Sequence, residues 1–150
     1  MNFINRIDWS FNKKSYSNSE IIALHKASLP KDPLMKLSKK AQSQFYDIAK
    51  VIGFFYFGSY EKKLVAVACF IKFSLIPKFY GKTIFSILIY IFIDKYLFGK
   101  SLGTHIINDF LKNNHFILLL TKEETYKKFY NKFKNLSFAF LGRRLVCLMK

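Results

Sequence analysis

Asp94-Lys95-Tyr96-Leu97-Phe98-Gly99-Lys100-Ser101-Leu102-Gly103-Thr104 is the stretch on which the fold turns. Before it lies an apolar segment, residues 84–93, built from Ile, Phe, Tyr and Leu. After it, Thr104-His105-Ile106-Ile107-Asn108-Asp109-Phe110-Leu111 carries apolar pairs four residues apart. The pattern predicts a strand, a glycine-containing turn and the start of an amphipathic helix. Such a turn aims several backbone N–H groups at one point, and the helix N-terminus adds partial positive charge. Together they suit a phosphate or pyrophosphate. Ser101 carries a Cβ and is expected to avoid positive φ. Its hydroxyl is expected either to donate to phosphate or to cap the helix.

Working outward, a chain of 150 residues that is 51% hydrophobic and 23% charged predicts one globular domain, residues 1–150, with a real core. The 18 Phe and 9 Tyr accompany abundant Lys, Asn and Ile, a joint bias that a skewed nucleotide composition would produce. The formal charge of +16 admits nucleic acid, an anionic membrane or an anionic cofactor as partner. Lysines run only in short pairs (Lys13-Lys14, Lys39-Lys40, Lys62-Lys63, Lys127-Lys128), and no zinc-finger, basic-zipper or RNP-like pattern is present. A solvated basic surface is therefore favoured over a nucleic-acid face. Cys69 and Cys147 sit in apolar runs without a CxxC spacing, so neither a disulfide framework nor a metal site is expected. Met1-Asn2-Phe3-Ile4-Asn5-Arg6 lacks the apolar region of a secretion signal. The longest apolar run falls short of the roughly 20 residues that span a bilayer. A cytoplasmic protein without a transmembrane segment is expected.

Along the chain, residues 3–9 read as an opening strand. Ser17 or Ser19 is placed to cap a helix with Glu20 in its first turn and Ile21, Ile22, Leu24, His25 and Leu29 on one side, ended by Pro30 and Pro33. Residues 34–51 read as a second helix, stopped by Gly53. Two strands, 54–59 and 64–73, flank a polar turn as a hairpin, and residues 74–82 form an irregular connection. Residues 84–93 read as a strand buried on both faces. The glycine turn and its helix end near Asn113-Asn114, and residues 115–120 give another strand. Thr121 and Glu124 resemble a capping box opening a helix through Phe133. Residues 136–141 and 145–149 flank Gly142-Arg143-Arg144 as a hairpin. The order β-α-α-β-β-β-α-β-α-β-β is an α+β layout with antiparallel hairpins and a parallel crossover.

In this order the chain resembles the GCN5-related N-acetyltransferase (GNAT) superfamily, over most of its length. Phe98-Gly99-Lys100-Ser101-Leu102-Gly103 aligns with the family's Arg/Gln-x-x-Gly-x-Gly/Ala turn, Ile93-Asp94-Lys95-Tyr96-Leu97 with its strand exit, and Phe129-Tyr130-Asn131-Lys132 with its Phe-Tyr segment. The closing strand, residues 145–150, and Ala23-Leu24-His25-Lys26-Ala27-Ser28-Leu29-Pro30 in the first helix also match. Phe98 replaces the usual Arg or Gln, Ser101 replaces a glycine, and Phe133-Lys134-Asn135 replaces a frequent Gly-Phe pair. The resemblance implies an acyl-CoA N-acyltransferase fold, a mixed, mostly antiparallel sheet flanked by helices.

It also implies direct transfer of an acetyl group from acetyl-CoA (CoA) to a primary amine in a ternary complex, the acceptor being a small amine such as an amino sugar or else a peptide amine, with the first-helix match favouring small-molecule or amino-sugar acceptors over histones. Under it, cofactor contacts fall on Phe98, Gly99, Lys100, Ser101, Leu102, Gly103 and Thr104 for the pyrophosphate. Ile91, Phe92 and Ile93 fall beside the thioester, where a strand bulge exposes an oxyanion donor. Tyr130 becomes the general acid for the leaving thiolate, with a core aromatic as its other reading. His25 is the preferred candidate base, against a structural histidine; His105, Glu61, Glu123, Glu124 and a water chain are the other options. No metal is called for. Oligomeric state, a homodimer included, is left open. Two readings from other classes stay beside this one. The departures at Phe98 and Ser101 fit a catalytically degenerate binding protein of the same fold, and the charge fits a nucleic-acid or membrane-surface binder.

Overall fold

Ser17 begins a helix because it and Glu20 satisfy each other's backbone donors. Ser17 Oγ accepts from the Glu20 N–H at 3.3 Å, and Glu20 Oε2 accepts from the Ser17 N–H at 2.8 Å, a cap contributing about 1 kcal/mol. Helix α1 (Asn18–Ser28) follows as predicted and buries Ile21, Leu24 and His25. The second helix starts later than predicted. Asp32 caps a short 3-10 turn, Pro33–Lys36, and α2 (Lys39–Ile52) begins only after Ser38, whose Oγ accepts the Ala41 N–H. Two capping side chains six residues apart split what the apolar spacing presents as one helix. Asn18 ties α1 to α2, donating to Asp47 Oδ1 at 2.6 Å and accepting from Lys50 Nζ at 2.5 Å.

A computed structural model describes residues 3–11, 16–75, 83–112, 116–133, 136–141 and 144–149. The chain divides into two compact units, Met1–Ile71 with Ile89–Ile107, and Lys72–Leu88 with Asn108–Lys150. The 76–82 connection, Asn113-Asn114, His115, Lys134-Asn135, Gly142-Arg143 and the Cys147 side chain lie outside what is described.

In the first unit the predicted opening strand is mostly a 3-10 turn, Phe3–Arg6, closed by the Ile7 N–H on the Ile4 carbonyl. Only Asp8–Ser10 (β1) remains extended, antiparallel to β2 (Gly53–Tyr60). β2 and β3 (Lys63–Leu75) form the predicted hairpin, with a bulge at Gly58/Ser59. Its turn residues Glu61 and Lys62 hold φ of 49° and 63°, the left-handed pair that suits the strand twist. Gly53 is where α2 stops and β2 starts, and a Cβ there would lie 2.2 Å from the Phe70 carbonyl oxygen. Helix and sheet set out from this point around one core: Ile21, Leu24, Leu34, Tyr46, Phe55, Phe57, Val67, Cys69 and Phe92. Each large apolar side chain fully buried there contributes about 1.5–3 kcal/mol.

β4 (Thr83–Ile93) is apolar apart from Thr83 and Ser86, but it is not buried throughout. Ser86, Leu88 and Phe92 are buried while Ile87, Ile89, Tyr90, Ile91 and Ile93 are half-buried, so the expectation of two buried faces is not met: the buried positions all lie on one face, and Tyr90 interrupts them. In the second unit Phe85, Ser86 and Ile87 pair in parallel with Phe116, Ile117 and Leu118 of β5 (Phe116–Thr121). β5 continues antiparallel onto β7 (Arg144–Met149), which pairs antiparallel with β6 (Leu136–Leu141). Among the described pairings only β4–β5 is parallel, and helix α3 (Leu102–Lys112) supplies its crossover. The fold is α+β, a mixed and mostly antiparallel sheet with helices, as expected. Thr121 is no helix cap, because it faces Leu145 in the β5–β7 ladder. α4 is only Glu123–Lys128, and Tyr130–Lys132 forms a separate 3-10 turn after Phe129.

Candidate active site

The turn that opens α3 is built by a chain of local hydrogen bonds. Asp94 caps a 3-10 turn, Lys95–Leu97, its Oδ1 accepting the Tyr96 N–H at 3.1 Å and its Oδ2 lying 3.6 Å from Lys63 Nζ. The Phe98 and Lys100 N–H groups donate back to the Lys95 and Leu97 carbonyls. The backbone then turns left-handed twice, at Gly99 (φ 80°) and at Ser101 (φ 61°). Ser101 does not avoid positive φ as expected; it adopts the conformation a glycine would hold, because the chain must reverse here to enter α3. The first helical bond is the His105 N–H on the Ser101 carbonyl at 2.9 Å. Among the described residues no hydrogen bond ends on the N–H of Leu102, Gly103 or Thr104, the orphan donors of a helix start. Phe98, Gly99, Lys100 and Ser101 are exposed, Leu102 and Gly103 are buried, and nothing lies within 4 Å of a Cβ placed on Gly99.

Before the turn, Phe92 is fully buried while Ile91 and Ile93 are half-buried. The Ile93 carbonyl accepts from Ser28 Oγ at 2.6 Å, and the Asp94 N–H donates to the Val65 carbonyl, so the strand exit is held from α1 and from β3. An open cleft of about 520 Å³ lies between α1 (Glu20, Ala23, Leu24, Ala27), the β2–β3 turn (Glu61, Lys62, Lys63, Leu64) and Asp94.

His25 is completely buried and stacks on Phe92 with ring centroids 4.1 Å apart. Its Nδ1 lies 2.5 Å from the Tyr46 hydroxyl and its Nε2 3.8 Å from Asp32 Oδ1. Burial pushes the imidazole below its ordinary pKa, partly opposed by the Asp32 carboxylate, and burial holds the Tyr46 phenol far above the usual range. Tyr90 donates to Asp32 Oδ1 at 3.2 Å, and its own phenol is pushed up to about 12, chiefly by burial and then by that carboxylate. Asp32, Tyr46 and Tyr90 escape a sequence search because they come from a loop, a helix and a strand. A carboxylate held between two prolines is the one local hint.

Tyr130 belongs to the second unit. It is half-buried and meets Phe129 edge-on at 4.8 Å. The other candidate bases are in ordinary settings: Glu61 is an exposed turn residue, and Glu123 and Glu124 pair with Lys127 and Lys128 one helical turn on. His105 lies against Trp9, with ring centroids 4.7 Å apart and the planes tilted by 34°.

No protein-family model and no curated protein matches the sequence. Solved structures do. The chain is similar to an acetyltransferase from Corynebacterium glutamicum described as histone acetyltransferase HPA2 and related acetyltransferase, at a TM-score of 0.68 and 11% identity, covering 96% of each chain. It is similar to an acetyltransferase of the GNAT family from Streptococcus pneumoniae at 0.59 and 13%, over 96% of this chain and 98% of that one. The chain has the fold of the GCN5-related N-acetyltransferases. A third structure with this GNAT fold, an aminoglycoside 6'-N-acetyltransferase complexed with coenzyme A, matches at 0.65 and 11% over 95% and 96% of the two chains. At the turn of residues 98–104 the N–H groups of Leu102, Gly103 and Thr104 have no partner among the described residues, Gly99 faces open space and Ser101 holds positive φ, a geometry open to an anion. Among the described residues no helix is long and apolar enough to cross a membrane, and no three His, Cys, Asp or Glu gather as a metal group.

Proposed function

We propose that the chain is an acetyl-CoA-dependent N-acetyltransferase for a primary amine on a small molecule, an amino sugar being one such acceptor. The observation that carries the reading is the α3 turn. Three adjacent N–H groups, at Leu102, Gly103 and Thr104, have no partner among the described residues at a helix start in a chain of GNAT fold. These donors, with Lys100 adding charge, would hold the pyrophosphate. The segment Ile91, Phe92 and Ile93 would border the thioester end. When bound, acetyl-CoA supplies an activated acyl group, so no protein nucleophile is required. Tyr130, half-buried, is the general acid of this reading, its phenol being of the type that can protonate a leaving thiolate. Phe98, in place of a longer polar side chain, leaves the pyrophosphate to backbone donors. His25 is the candidate base of this reading; it is buried beside Asp32, and burial lowers its pKa, which favours the neutral imidazole.

Calorimetry with CoA, followed by thiol release across a panel of amines, tests the reading. CoA is expected to bind, and Gly103→Pro to weaken it by about tenfold, because proline removes one donor while remaining compatible with the first turn of a helix. Unchanged affinity in a folded Gly103→Pro protein removes the turn from the cofactor site. Tyr130→Phe is expected to lower kcat by about 100-fold with CoA affinity unchanged; a parallel loss of both assigns Tyr130 to packing. CoA binding without thiol release from any amine favours the degenerate reading that the changes at Phe98 and Ser101 motivate.

A further inference from the structure

Helix α2 carries two apolar rows, and the core takes only one of them. Gln42, Tyr46 and Ala49, four and three residues apart, are its buried row. Ala41, Phe45, Ile48 and Ile52 form a second row, turned from the first by about 100°. This row leaves the core as it runs towards the helix C-terminus. Ala41 and Phe45 are half-buried, and Phe45 meets Tyr90 edge-on at 6.1 Å. Ile48 is 59% exposed, Val51 80% and Ile52 51%. Val51 and Ile52 lie three and four residues beyond Ile48, so the three are neighbours on the helix surface. At the other end Leu37, just ahead of the Ser38 cap, is 53% exposed. Single exposed aliphatics are ordinary, whereas a contiguous set is not. The charges beside this face are also out of place for the fold alone. Lys36, Lys39 and Lys40 are exposed around the start of α2, and among the described residues none is ion-paired. The positive end of the helix dipole disfavours lysines there, and the first turn holds no acid. Lys40 shares a helix row with Val51, eleven residues on. Lys50 turns away, onto Asn18 and the Tyr16 carbonyl. Asp47, the one acid of α2, accepts from Asn18.

We propose that this face of α2 docks on an anionic lipid surface. The helix lies along the membrane plane, with Ile48, Val51 and Ile52 entering the acyl boundary and Lys36, Lys39 and Lys40 among the headgroups. The proposal stands apart from the acetyl-transfer reading and does not depend on it. At 14 residues, α2 is a helix that lies on a bilayer rather than crossing it. Charge selects the occupant. A chain of +16 is drawn to an anionic surface, where each nearby lysine strengthens binding by about fivefold. A second copy of the chain fits less well, because it brings the same charge. The four exposed side chains also offer on the order of 300 Å², well below the roughly 800 Å² that each partner of a stable dimer buries. A different protein fits less well too. Protein interfaces are enriched in exposed aromatics and arginine and depleted in lysine. Here the exposed side chains are aliphatic, and every basic residue from Lys36 to Lys50 is lysine. Lysines around an aliphatic stripe match an anionic headgroup layer over hydrocarbon.

The test is flotation of the full chain with vesicles of phosphatidylcholine alone and of phosphatidylcholine containing about 30% phosphatidylserine. Binding to the mixed vesicles is expected to be at least about 100-fold tighter than to the neutral ones. Ile48→Ser, Val51→Ser and Ile52→Ser together change only exposed side chains and leave the charge intact. They are expected to weaken binding to the mixed vesicles by at least about tenfold, with an unchanged far-UV circular dichroism spectrum. Lys36→Gln, Lys39→Gln and Lys40→Gln together are expected to weaken it by about 100-fold. Ile48→Trp reports the docked face directly. Compared with wild type, which carries a single tryptophan, its emission is expected to shift to the blue on mixed vesicles and to be quenched by brominated lipid. Failure to bind the mixed vesicles assigns the stripe to a protein partner and overturns the proposal. Serine variants that bind as tightly as wild type assign the binding to diffuse charge and overturn it. An Ile48→Trp emission that neither shifts nor is quenched overturns it as well. So does a dimer, seen by sedimentation equilibrium without lipid, that the serine substitutions abolish, because a second copy then covers the stripe.

Discussion

Ser101 holds φ at 61° with a Cβ attached, a conformation that disfavours ordinary L-residues by about 1–2 kcal/mol. The turn needs that backbone, and serine tolerates it because its side chain is short and exposed. Ser101→Gly relieves the clash but gives the unfolded chain more freedom, which offsets about 0.4–1 kcal/mol. The net expectation is a gain of about 0.5 kcal/mol in urea unfolding, whereas Ser101→Val, β-branched at positive φ, loses more than about 1 kcal/mol. A loss in Ser101→Gly shows that the hydroxyl contributes more than the strain removes. The same residue marks a limit of sequence reasoning. The motif places a glycine there, and its replacement suggests a changed backbone. The backbone instead stays, because the strand exit on one side and the first bonds of α3 on the other both fix it.

Elements were legible where local chemistry decides them and not where tertiary pairing does. The Ser17–Glu20 cap, the 61–62 turn and the strand–turn–helix at 84–112 all carry their own signals over a few residues. Thr121-x-x-Glu124 carries the same signal as Ser17-x-x-Glu20, yet it lies on β5, because pairing with Leu145 of β7 outweighs a cap worth about 1 kcal/mol. The parallel β4–β5 join could be read from the crossover, while the half-burial of one face of β4 could not, since composition alone does not say what covers a strand. Among the candidate site residues, the turn and His25 could be singled out in the sequence; the Asp32–Tyr90 contact, spanning 58 positions, could not. The junction of α2 and β2 offers a test at this scale. A Cβ on Gly53 would meet the Phe70 oxygen at 2.2 Å and the Ala49 oxygen at 3.0 Å. Both are backbone atoms, and neither can rotate aside. Gly53→Ala is expected to lose at least about 3 kcal/mol in equilibrium unfolding. Gly99→Ala, with open space but φ of 80°, is expected to lose only about 1 kcal/mol. Gly53 has an ordinary negative φ of −135°, so a loss there no larger than at Gly99 would mean that the backbone around Gly53 gives way and the contact does not govern.

For the whole molecule, a charge of +16 raises the question of whether an anion is held by a built site or by a diffuse field. The two differ in how salt acts. A field from scattered exposed lysines is screened beyond about 10 Å at 0.1 M salt, and binding to a polyanion releases one set of counterions per phosphate neutralised. A duplex DNA contacting six lysines would then follow salt with a log–log slope of about −5. A pyrophosphate held at the α3 turn, as proposed, would behave differently. Its donors are backbone N–H groups of Leu102, Gly103 and Thr104, fixed in direction, with Lys100 as the nearby full charge. Such contacts are short and little screened, so the slope for CoA should be about −1. Raising KCl from about 50 to about 500 mM is therefore expected to weaken CoA by about tenfold or less, followed by calorimetry, and duplex DNA by more than about a thousandfold, followed by anisotropy. A CoA slope as steep as that for DNA would place the cofactor on the general basic surface. A shallow slope for CoA that steepens no further in Lys100→Ala, with a loss of affinity at every salt concentration in Gly103→Pro, would assign the binding to the turn itself.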